Sequence, residues 1–315
     1  MKSIKEFKTF SEQIQILKSR GLIIKNESKA IKFLEHENYY NVINAYKDLF
    51  LKDNKIDFKE NTNFDEIESL FLFDKELRSI ILNYILSFER SFKTIMAYKF
   101  SEKYSKNNQI SCYMLHKNYD NKKYLNALEF ISTVNKAIID KSKKSDYVNH
   151  YINQYGDIPL WVVVNVLTLG NMGFMFNILK NDDKNEIIRF YTERYKKEHN
   201  LLKLNSIMND TTFSTGLKIL NIVRNICAHE ERLYNLNFKH KMKEISNIVN
   251  YENYDNSKLI SIFIFLKLVL DYNEFSKMKT KLINLFDMYK LRFKTINFFE
   301  ILYEMGIELD SFKKF

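Results

Sequence analysis

One proline and six glycines in 315 residues leave this chain few places to turn tightly or to break a helix. That scarcity constrains its fold more than any other feature, because glycine and proline punctuate sandwiches, barrels and nucleotide-binding sheets. With 26 phenylalanines and 20 tyrosines in the same chain, the expected fold class is all-α, with long helices packed through aromatic side chains. From Ile67 to Tyr104 apolar residues recur at spacings of three and four, through Leu70, Phe73, Leu77, Ile81, Phe88, Phe92 and Phe100. This spacing predicts one long amphipathic helix, capped at its start by Asn63 or Asp65.

The remaining segments read the same way. Phe7, Phe10, Ile14 and Leu17 predict a first helix ending at Gly21, with a restart behind Asn26 or Ser28. Residues 105–109 form a polar loop, and a helix runs from Lys123 to Asp140. Pro159 stands where a first helical turn tolerates it, Gly170 and Gly173 are placed to admit close helix crossing, and further helices are expected near 257–272 and 276–304. The apolar run from Leu160 is interrupted by Asn165, Thr168, Gly170 and Asn171, which reads as core and not as a membrane span. Two lone cysteines, Cys112 and Cys227, and no recognisable leader fit a reducing cytoplasm with no membrane partner.

A net charge of +10 favours a polyanionic partner, without separating RNA from DNA or an acidic membrane. Arg189, Arg194, Lys196 and Lys197 alternate with Phe190, Tyr191 and Tyr195, a pattern that suits RNA binding and equally suits an ordinary amphipathic helix. Tyr39, Tyr40 and Tyr46 are open to the same two readings, base stacking or core. His199 and His240 lack the cysteine or carboxylate neighbours of a metal site. No metal and no cofactor is expected.

The chemistry concentrates between Asn221 and Asn235. Winding this stretch at about 100° per residue puts Asn221, Arg224, Asn225, Ala228, His229 and Arg232 on one polar arc, opposite an apolar arc that holds Ile222, Val223, Ile226, Cys227 and Leu233. An imidazole exchanges a proton near neutral pH, and a guanidinium grips phosphate oxygens by paired charge-assisted bonds. His229, Arg224 and Asn225 together therefore suit cleavage of an RNA phosphodiester by its own 2'-hydroxyl. The bare Arg-x4-His spacing also fits a partly buried ion pair with Glu230 or Glu231. Glu89 interrupts the apolar side of the long helix, either to orient Arg224 or His229 or to bridge to Arg78 or Arg90.

The full pattern Arg224-Asn225-x-x-Ala228-His229-x-x-Arg232-Leu233-x-Asn235 resembles the signature of Abi-type abortive infection proteins (AbiD/AbiF-like), a branch of the HEPN (higher eukaryote and prokaryote nucleotide-binding) superfamily. Asn38-Tyr39-Tyr40, the blocks Phe73–Arg78 and Phe88–Ser91, and Pro159-x-Trp161 with its downstream glycine extend the resemblance over most of the chain. It implies a HEPN-type helical bundle over 61–245, with an N-terminal helical region (1–60) and a C-terminal helical extension (246–315). It further implies that Arg224, His229 and Asn225 are catalytic, with Glu89 and Arg232 in support. The implied function is that of a cytoplasmic antiphage toxin, a metal-independent endoribonuclease acting as a homodimer and, in some relatives, restrained by a small antitoxin RNA. Two alternatives use the same residues: a HEPN module that binds RNA without cutting it, and a structural dimerisation scaffold.

Overall fold

Capping residues decide where most helices of this protein begin. The computed structural model describes residues 6–105, 110–203, 207–239, 241–242 and 254–315; residues 106–109 of the expected polar loop and the expected boundary at 245/246 lie outside the described residues. Thr9 opens α1 (Phe10–Ser19) with a reciprocal capping box to Glu12, and Asn26 caps α2 (Glu27–Glu37). Asn63, one of the two residues anticipated, caps α3 (Phe64–Tyr104), whose 41 residues span about 60 Å at the helical rise. Then follow α4 (Tyr124–Ser142), α5 (Asp146–Tyr155), the single turn α6 (Leu160–Val163) behind Pro159, α7 (Leu169–Ile178), α8 (Asn181–Glu198) and α9 (Asp210–Ala228). The C-terminal part holds α10 (Ile260–Val269), α11 (Tyr272–Tyr289), α12 (Phe298–Glu304) and α13 (Leu309–Lys314). Among the described residues the protein is all-helical, with two isolated β-bridges and no strand.

α3 is the spine. α6, α7, α8, α9, α10 and α11 all pack on it, so its flank is enclosed on several sides and Phe73, Phe88 and Phe92 are fully buried. Enclosure also buries charge: Glu66, Asp74, Arg78 and Glu89 are each less than a tenth exposed. A buried carboxylate is tolerated only with partners: Asp74 and Glu89 have a cation one turn on, Arg78 and Lys93, while those of Glu66 come from far along the chain. Glu66 accepts the amides of Lys294 (2.7 Å) and Thr295 (2.9 Å) and the Thr295 hydroxyl (2.8 Å). Glu76 accepts the Tyr289 hydroxyl at 2.7 Å. These bonds dock the chain around residues 289–295 against α3, and the helix expected over 276–304 divides there into α11 and α12.

The tightest helix crossing at a glycine falls at one the periodicity did not single out. Gly173 has open space where a Cβ would stand, a Cβ on Gly170 would stand a tight 3.3 Å from the Asn221 side chain, and one on Gly216 of α9 would lie 2.2 Å from the Phe265 ring of α10. Gly216→Ala gains about 1 kcal/mol of helix propensity but drives a methyl into a rigid ring in a closed core. Overpacking of that kind costs about 1–3 kcal/mol, so the variant is expected to melt below the parent in a calorimetric scan. A higher melting temperature would mean that α9 and α10 part without loss.

Candidate functional site

α9 stops where its sequence has no glycine to stop it. The last helical residue is Ala228, His229 is the C-cap, and Glu230 takes a left-handed conformation (φ 58°) that costs a non-glycine residue about 1–2 kcal/mol. Glu231 N–H returns to Ile226 O at 3.0 Å and Glu230 N–H to Cys227 O at 3.4 Å, closing a Schellman turn. The chain then leaves the helix axis, and Asp74 of α3 catches it: its carboxylate accepts the amides of Leu233 (2.9 Å) and Tyr234 (2.7 Å). The same carboxylate accepts the Tyr46 hydroxyl at 2.7 Å and Arg78 Nη1 at 2.6 Å. Burial pushes the Asp74 carboxyl above its ordinary range, with the Arg78 guanidinium, the Tyr46 hydroxyl and both amides pulling the other way.

Above this anchor the polar side chains sort by depth. Asn225 and His229 are exposed at the end of α9. Arg224 is about a third exposed and turns to α3, where its Nε lies 3.9 Å from Glu89 Oε2. Glu89 also pairs with Lys93 at 2.7 Å. The partner of Arg224 is thus Glu89, and not Glu230 or Glu231, which stand exposed past the turn; neither Arg78 nor Arg90 bridges to Glu89, since Arg78 is held by Asp74. Cys227 faces inward, and burial raises its thiol to about 12, which removes it as a nucleophile.

A family model, that of Abi-like proteins, matches residues 32–235. The chain belongs to the Abi-like protein family. No curated protein and no solved structure matches it. Membership implies a part in abortive-infection defence, and the matched span of this Abi-like protein begins in α2 and ends at Asn235, one residue past the Tyr234 amide held by Asp74.

Several anticipated residues of the Abi-like protein stand elsewhere than expected. Arg232 is not on the stripe of Asn225 and His229, because the helix has ended; its guanidinium binds Ala45 O and lies 3.3 Å from Asp48, tying the motif to the N-terminal region. The basic set on α8 does not share one exposed face. Lys196 is buried and paired with Glu193 at 3.1 Å, and Arg194 donates to Val269 O and lies over the Tyr191 ring. Only Arg189 and Lys197 of that set are exposed, since the aromatic side of α8 must face the core and the lysine stem and guanidinium beside it are drawn in with it. Tyr46 is core, stacked on Tyr234 at 6.0 Å, while Tyr40 is exposed. Among the described residues no group of three His, Cys, Asp or Glu side chains is placed to hold a metal ion, and no helix is long and apolar enough to cross a membrane.

Asp74 is the determinant of the site that spacing does not name, and Tyr46, one of the two readings of which was core, donates its hydroxyl to it. The signal was present: Asp74 falls four residues after Leu70 and three before Leu77, on the buried stripe of α3, with Arg78 one turn on. A carboxylate in such a place needs partners that local sequence does not name.

Proposed function

We propose that this Abi-like protein is a metal-independent endoribonuclease with a HEPN-type bundle, which cuts RNA of the infected cell at the C-terminal end of α9. The observation that carries the reading is the sorting of the motif there: His229 and Asn225 stand in solvent while Arg224, on the same last turns of the helix, turns toward Glu89 with its Nε 3.9 Å from the carboxylate and not hydrogen-bonded to it. An exposed imidazole is open to a polymer, and a guanidinium that spends no hydrogen bond on its carboxylate neighbour keeps its donors for phosphate.

In this scheme the His229 imidazole takes the proton of a 2'-hydroxyl. The freed oxygen attacks the adjoining phosphorus, and Arg224 stabilises the charge gathering on the nonbridging oxygens. The bond from phosphorus to the 5'-oxygen breaks, and that oxygen takes a proton as it leaves. The products are a 2',3'-cyclic phosphate and a 5'-hydroxyl. Asn225 holds the imidazole or the phosphate by its amide. Each chain offers one motif histidine, so a twofold homodimer that faces two motifs would supply base and acid from equivalent residues. A small RNA bound across the same face is an economical means of restraint.

Incubation of the purified protein with total RNA in EDTA tests the reading. Cleavage leaving cyclic phosphate ends is expected, and strict dependence on a divalent cation with 3'-hydroxyl ends would refute it. RNA retained uncut in a mobility-shift assay would identify a binding module, and no interaction with RNA would leave a dimerisation scaffold.

A further inference from the structure

A groove of about 770 Å³ runs along α3 opposite α6, with Arg90, Lys93, Tyr98, Ser101, Glu102 and Trp161 in its walls. Its volume lies in the range of small-molecule and nucleotide sites, about 300–1,000 Å³. Two features set it apart from ordinary surface. Most large aromatic side chains of this protein are buried, yet Tyr98 is 59% exposed and Trp161 51%, and Lys99 Nζ lies 5.5 Å from the Tyr98 ring centroid. Ser101 is 9% exposed, and its hydroxyl has no hydrogen-bond partner among the described residues.

Charge is unequal along the groove. At one end Arg90 is exposed and makes no ion pair among the described residues, with Lys93 one turn away. At the other end the Glu102 carboxylate is neutralised by Lys99 at 2.9 Å. Lys93 connects the groove to the motif, for the Glu89 carboxylate it binds is the one that faces Arg224. From Arg90 to Glu102 the helix rises about 18 Å, room for a short single-stranded run.

We propose that this groove seats unpaired nucleotides of the RNA strand adjoining the scissile phosphate, with bases against Tyr98 and Trp161 and phosphates toward Arg90. The inference rests on the ribonuclease reading above for the identity of the strand. Base stacking on aromatic rings tolerates any sequence, because every base has a π-face. The groove therefore selects single strands over duplex, and not one sequence over another.

Trp161 is the only tryptophan, so its emission reports on the groove directly. The probe is a fluorescently labelled single-stranded 2'-O-methyl oligonucleotide, which lacks the attacking hydroxyl and separates binding from cleavage. Expected are quenching of Trp161 on titration, little quenching by duplex, and affinity by anisotropy lowered about tenfold in Tyr98→Ala with its thermal transition unchanged. Binding that leaves Trp161 emission untouched, or equal affinity in Tyr98→Ala, overturns the proposal. Absence of binding overturns it too and leaves the groove to a protein segment. Quenching by a protein that does not cut unmodified RNA keeps the groove and retires the ribonuclease, and cutting without quenching does the reverse.

Discussion

Replacing His229 by alanine is expected to lower RNA cleavage by about 10²- to 10⁴-fold, the usual contribution of a positioned general acid or base, with the fold intact. His229 is exposed, and the hydrogen bonds that close the end of α9 use its backbone N–H, which donates to Asn225 O at 2.9 Å and survives in alanine. Surface substitutions of this kind change stability by about 0.5 kcal/mol or less. Circular dichroism and the thermal transition should match the parent while cleavage falls. If two protomers share the reaction, an excess of His229→Ala chains mixed with wild type, given time for subunit exchange, should depress activity by more than dilution. Undiminished cleavage by the variant would remove His229 from the chemistry, and an active monomer in light scattering would remove the shared site.

The second large effect is on stability. Asp74→Ala is expected to cost about 3–5 kcal/mol, the penalty for breaking a buried charged pair by removing one partner. The Arg78 side chain is 5% exposed and would keep its charge without a counter-ion. The Leu233 and Tyr234 amides and the Tyr46 hydroxyl would lose their acceptor in the same step. Against a total stability of about 5–15 kcal/mol, the loss should be plain in urea titration as a lower midpoint. Because the amides of Leu233 and Tyr234 also hold the chain that leaves His229, cleavage should fail at temperatures where the helical signal persists. Asp74→Asn retains an acceptor oxygen and should fall between the two. Unfolding of Asp74→Ala within about 1 kcal/mol of the parent would show that the carboxylate is not the anchor the geometry makes it.

The sites of these two substitutions differ in how far the sequence disclosed them. His229 was legible because its chemistry is local: Arg224, Asn225 and His229 lie within two turns, and their residue types point to phosphodiester cleavage wherever the helix sits. The anchoring role of Asp74 was not legible, because Arg78 is its one near partner and the other three stand 28, 159 and 160 residues away. Which basic residues of α8 are exposed was hidden for a related reason. Spacing shows that a lysine is near an aromatic, but whether Lys196 reaches solvent or Glu193 depends on which side of the helix the core takes. The groove between α3 and α6 joins Tyr98 to Trp161 across more than sixty residues of chain, and no local pattern marks it.

The sequence by itself determined the all-α class, the single long helix behind Asn63, most helix starts and the identity of the motif. Each depends on groups a few residues apart, whether apolar residues recurring at three and four or an asparagine side chain capping the next turn. Tertiary structure decided where α9 ends. Residues 221–235 have the period of one continuous helix, with nothing local at Glu230 that prefers a left-handed turn. The turn forms because Asp74, enclosed in α3 beside Arg78, satisfies its carboxylate with the amides of Leu233 and Tyr234, and a buried charge bonded on all sides outweighs about 1–2 kcal/mol of backbone strain.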